Sequence, residues 1–169
     1  MEGFTRNADF VSYTLKTFFV DQGNVGALET DVFSYSINKN VLASNGAFIM
    51  ATYGGSFFNT ANNKRIAAYF AGNLIFDTNG SPGPTIQTGS TCDWRFVVSL
   101  IRDSSSSVRV SALLHWGIHP GSFGNLFTSN LYTTISGLDF TSGNILKMTL
   151  TGGATNDLIA SMARIVLVK

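Results

Sequence analysis

From Trp94 to Arg102 the chain alternates with a strict period of two. Trp94, Phe96, Val98 and Leu100 fall on one face, and Arg95, Val97, Ser99 and Ile101 on the other. That period belongs to a β-strand, because successive side chains leave opposite sides of an extended backbone. Val108, Val110, Ala112, Leu114 and Trp116 repeat the pattern after a turn made of Asp103 and the serine run Ser104 to Ser107. No segment carries a convincing helical period. A long helix would also need Glu, Lys, Arg and Ala on its solvent face. Charged residues are only 12% of this chain, and Ser, Thr, Asn and Gly stand in for them.

The same reading yields further strands at Phe10 to Val20, around Asp31 to Ile37, Ala47 to Tyr53, Arg65 to Ala71, Leu74 to Asp77, Leu131 to Ile135, Ile145 to Leu150 and Leu158 to Val168. Turn-forming clusters separate them: Asp21 to Asn24, Asn59 to Asn63, the Gly72-Asn73 pair and the loops Thr78 to Ser90 and Gly117 to Ser129. Gly54-Gly55 predicts a bulge or kink. With 169 residues the chain suits one domain with one core. Many short strands without helices predict an all-β fold, an antiparallel β-sandwich of jelly-roll type. Residues 29–169 form that domain in this reading, and residues 1–28 an N-terminal arm or extra strand. The expected interior is Ile49, Ala51, Phe70, Ile75, Trp94, Phe96, Val98, Leu100, Val110, Leu114, Ile165 and Leu167.

Several segments in this order resemble a known group. They are Gly46 to Gly54, Asn62 to Asp77, Trp94 to Arg102 and the closing stretch Leu146 to Ile159, whose Gly152-Gly153-Ala154-Thr155-Asn156-Asp157 is the most specific part. Together they are similar to small trimeric jelly-roll domains of tailed-bacteriophage virions, which decorate capsids or end tail fibres. Their topology is similar to the tumour-necrosis-factor and complement-C1q heads. The resemblance spans roughly residues 30 to 169 and leaves Met1 to Leu28 outside. It implies a homotrimer and carries no catalytic residues.

Chemistry was sought residue by residue. His115 and His119 have a zinc-binding spacing only on a helix, and no Glu or third ligand is near them in sequence. Cys92 is the only cysteine, so it forms no internal disulfide and reads as a small buried hydrophobe. There is no Gly-x-Ser-x-Gly elbow, and Gly54-Gly55 and Gly152-Gly153 lack the Lys-Ser/Thr of a phosphate loop. The expectation is a non-enzyme with no cofactor and no metal. A net charge of +1, carried by scattered basic residues, gives no footprint for nucleic acid. The N-terminus has neither the basic nor the apolar region of a signal peptide, and no stretch is long enough for an apolar membrane span. These features predict a soluble product of a cytoplasm, which disfavours a secreted cytokine-like ligand, and the resemblance implies that it ends in the virion.

The function expected is capsid decoration, or cement, with the chain itself and the major capsid protein or other virion proteins as partners. The alternative is a receptor-binding head of a tail fibre or tail tip. Phe4, Phe10, Tyr13, Phe18 and Phe19 make the N-terminal segment the candidate attachment element. Trp116, His119, Phe123 and Phe127, with Tyr132 beyond them, flank a loop that could face a glycan. Those aromatics suit the sandwich interior or a subunit interface better.

Overall fold

The computed structural model describes residues 12–39, 41–58, 60–79, 86–88, 91–118 and 127–168. Among them the chain is an antiparallel β-sandwich without a helix. The strands are β1 (Ser12–Phe18), β2 (Gln22–Gly23), β3 (Thr30–Ile37), β4 (Phe48–Phe57), β5 (Thr60–Phe70) and β6 (Asn73–Asp77), followed by β7 (Ile86–Thr88), β8 (Cys92–Ser104), β9 (Ser107–Ile118), β10 (Phe127–Ser136), β11 (Asn144–Thr151) and β12 (Leu158–Val168). The larger sheet runs β1-β12-β4-β8-β9-β10, with β2 also on β12. The smaller runs β3-β11-β5-β6, with β7 on β5.

Every residue expected in the interior, from Ile49 to Leu167, is buried. The cause is the pleat. Register joins Ile165, Ala51, Val98 and Ala112 into one inward row, and Ala163, Tyr53, Phe96 and Leu114 into the next. Aromatic rings fill the space between the sheets, with Phe33 stacked on Tyr53 and Tyr53 on Phe96 at centroid distances of 5.8 and 5.9 Å. Phe76 meets Phe96 at 4.7 Å. Cys92 is buried as a free thiol.

Four local expectations are corrected. Thr60 to Asn63 is not a turn, because it begins β5. The β5–β6 hairpin turns at Ala71-Gly72, both at positive φ (49° and 78°), so Asn73 is already the first residue of β6 and pairs with Phe70. Thr78 to Ser90 contains the short strand β7. Gly54-Gly55 does not kink β4, and the bulge sits opposite, in β12 between Ala160 and Met162. Gly55 is nevertheless obligatory. A Cβ there would lie 1.9 Å from the Ile159 carbonyl oxygen and 2.7 Å from Trp94 Cζ2.

Candidate assembly surface

The described part of the N-terminal segment is fixed to the body at two places. β1 pairs with β12 from Ser12–Val168 to Phe18–Ala163, and β2 pairs with the same strand through Gln22–Ala160 and Gly23–Ile159. Between these two anchors the chain loops outward. Next to β2 stands Asn24, which is fully buried. Its Nδ2 donates to the carbonyls of Ala154 (2.7 Å) and Gly26 (2.8 Å), and its Oδ1 accepts from the Leu158 amide (2.9 Å). Its backbone adds a bond to Leu158 and one from Asn156. A buried amide this well matched contributes more through the penalty for losing a partner than through its net strength.

The closing motif forms the other half of the clamp. Asp157 is buried and accepts from Thr60 Oγ1, Asn62 Nδ2 and the amides of Gly153 and Ala154, all within 2.9 Å. Burial alone would raise its carboxyl, but these donors outweigh burial and hold it below the usual range. Lys64, also fully buried, donates its Nζ to the carbonyls of Thr60 and Asn62. Burial pushes that ammonium down, and the Asp157 charge partly opposes the push. Glycines make room for the clamp. A Cβ on Gly152 would lie 2.6 Å from Asp157 Cβ and 2.7 Å from Asn24 Nδ2, and one on Gly153 2.4 Å from Asn62 Cγ.

This polar anchor displays apolar side chains. Phe19 is 78% exposed, Val20 62%, Val25 57% and Leu28 73%. Tyr13 is exposed on β1 as well. Phe18 differs from its neighbour: it packs against the core at 5.2 Å from the Phe33 ring, with Lys16 over its other side. Phe4 and Phe10 lie outside the described residues. So do His119, Phe123 and the side chain of Phe127. Trp116 is 6% exposed and belongs to the core, so its ring does not face the loop after β9. Of the aromatics near that loop, Tyr132 is exposed, on the outer face of β10.

No protein-family model matches the chain, and no curated protein is similar to it. The surface chemistry therefore carries the functional argument.

The two outer faces of the sandwich differ. On the smaller sheet the Glu29 carboxylate accepts from Tyr69 Oη and Thr149 Oγ1 (2.7 Å each) and from Arg65 Nη1 (2.9 Å). Partial burial would raise Glu29, but these bonds and the Arg65 charge hold it at about 2. Arg65 also grips Asp77 through two 2.8 Å bonds, and Lys147 pairs with Asp31 at 3.0 Å. That face is dominated by paired charges, with Leu74 and Ile145 exposed among them.

The larger sheet presents a different pattern outward. Register sets Val168, Phe48 and Ile101 in one row, Val166, Met50, Ser99, Ser111 and Tyr132 in the next, then Arg164, Thr52, Val97 and Leu113. Apolar and hydroxyl side chains dominate these rows, with arginines toward their ends. Among the described residues, no group of three or more His, Cys, Asp or Glu is placed to hold a metal ion.

Asn24, Asp157 and Lys64 were not singled out from sequence. Asn24 reads as a turn residue, and its partner Leu158 is 134 residues away. The signal that existed was the motif Gly152 to Asp157, whose glycines and carboxylate are what the clamp requires.

Proposed function

We propose that the chain is a structural protein of a tailed-phage virion: a trimeric jelly-roll protein that decorates the capsid and stabilises its shell. The strand order supports the jelly-roll reading. β3, β5 and β11 lie in one sheet while β4 and β12 lie in the other, so the chain crosses the sandwich repeatedly instead of finishing one sheet before starting the next. The observation that carries the functional reading is the contrast between the outer faces. A face that sets the partly exposed Phe48, Met50, Val97, Ile101 and Leu113 in continuous rows, where the other face scatters Leu74 and Ile145 among ion pairs, favours burial against protein. The displayed Phe19, Val20, Val25 and Leu28 extend the apolar surface along the N-terminal segment.

Such a protein acts by mass action: each copy that binds only the assembled shell adds its binding free energy to shell stability. Multi-angle light scattering should report three times the 18.2 kDa chain mass. A stable monomer at micromolar concentration would refute the assembly reading. Particles lacking the protein should still adsorb to cells but release genome more readily under heat or osmotic shock. Robust particles that no longer adsorb would instead establish the receptor-binding alternative.

A further inference from the structure

The outer face of the larger sheet is interrupted by a hollow of about 510 Å³, lined among others by Thr52, Gly54, Ser56, Arg95, Ser161 and Met162. Gly54 contributes no side chain there, and the atoms nearest its outward direction are Met162 Cγ at 3.1 Å and Sδ at 3.4 Å, the end of a flexible side chain. The β12 bulge between Ala160 and Met162 widens it. Arg95, opposite Gly54 on β8, lines the opening, and Arg164, opposite Thr52 on β12, stands one row away and donates to Thr14 Oγ1 at 3.1 Å. Asp93, the acid in the lining, already accepts from Ser56 Oγ at 2.9 Å.

The same chain carries a matching protrusion. Phe18 pairs with Ala163 and Gln22 with Ala160, so Phe19, Val20 and Asp21 loop out beside β12. Phe19 and Val20 are largely exposed, so they do not fill the hollow of their own copy. Two apolar side chains followed by an exposed carboxylate complement an apolar hollow with Arg95 at its opening.

We infer that the Phe19-Val20-Asp21 loop of one copy docks in the Gly54 hollow of the next, with Asp21 meeting the Arg95 side of the opening. This rests on the assembly reading above and names its contact. In the ring we infer, each copy gives its knob to one neighbour and its hollow to the other, and three such head-to-tail junctions close the circle. A buried Phe removes about 150–250 Å² from water, enough for a central anchor within an interface of roughly 2,000 Å².

The test is sedimentation velocity on the full chain, with a thermal midpoint recorded for every variant. Phe19→Ser removes an exposed side chain, and Gly54→Leu plugs the hollow at a site that is not at positive φ. Each should raise the dissociation constant of the trimer at least tenfold, while the midpoint measured on the dissociated protein stays close to wild type for Phe19→Ser and falls only modestly for Gly54→Leu, whose Cβ meets Met162 Cγ at 3.1 Å. Asp21→Arg and Arg95→Asp should each do the same, and combining them in one chain should restore assembly. A wild-type trimer that Phe19→Ser and Gly54→Leu both leave intact would overturn this contact while the assembly reading stands. Failure of the double charge reversal to rescue would overturn the Asp21–Arg95 pairing. A monomeric wild type would overturn the assembly reading itself.

Discussion

Replacing Asn24 by Ala tests whether the clamp holds the N-terminal segment. The substitution deletes both side-chain bonds to the body, from Nδ2 to Ala154 O and from Leu158 N to Oδ1. It strands a buried amide and a carbonyl, each costing about 1–3 kcal/mol when left unpaired. The third bond, to Gly26 O, is local, two residues along the chain, and adds little to the hold on the body. Water entering the vacated space offsets part of the loss, so the expected destabilisation is about 3 kcal/mol. In a domain of this size that lowers the melting temperature by roughly 6–12 °C. Urea unfolding followed by far-ultraviolet circular dichroism measures the global change, and hydrogen exchange at the Leu158 amide measures the local one. A loss below about 0.5 kcal/mol, with Leu158 protection unchanged, would refute the reasoning.

Gly55→Ala should destabilise by about 3 kcal/mol or prevent folding, because its Cβ would enter the Ile159 carbonyl, whereas Gly54→Ala should stay within about 1 kcal/mol; paired urea melts distinguish the two. Ala71→Asn should stabilise by up to about 1 kcal/mol, since Ala71 sits at φ 49° in a tight hairpin turn that favours Asn before Gly. Asp157 has a carboxyl held below its unfolded value of about 3.9, so its stabilisation is present above that pH and lost as pH falls through the folded value. Asp157→Asn should therefore cost about 3 kcal/mol at neutral pH, leaving Lys64 uncompensated, and flatten the acid limb of the stability curve. Glu29 and Asp77 titrate in the same direction and will leave some slope. Urea melts across the acid range check this, and an unchanged acid limb in Asp157→Asn would refute it.

The sandwich was legible because β8 and β9 bury one full face on a strict two-residue period, which leaves no other register. Legibility failed where side chains answer to distant partners. Thr60 and Asn62 look like turn residues, yet their polar groups serve Asp157, some 95 positions or more along the chain. Gly72-Asn73 looked like the hairpin turn because glycine usually marks positive φ. In fact Ala71 takes the first such position and shifts the turn by one residue. Gly54-Gly55 signalled irregularity correctly, but a glycine pair cannot say which of two paired strands bulges. Among the aromatics, Phe18 and Phe19 are adjacent in sequence and opposite in fate. The pleat sends one inward, and the strand ends before the other is committed.

The clamp also has a consequence for timing. A contact between Asn24 and Leu158 closes a loop of 134 residues, which is among the slowest contacts to gain because chain entropy opposes it until the intervening strands have formed. Interactions absent from the folding transition state govern how fast a protein unfolds more than how fast it folds. The segment that displays Phe19 and Val20 can therefore be fixed only once β12, the strand it rests on, has paired. In the assembly proposed above, a chain whose β12 had not yet paired would not present this segment to a neighbour.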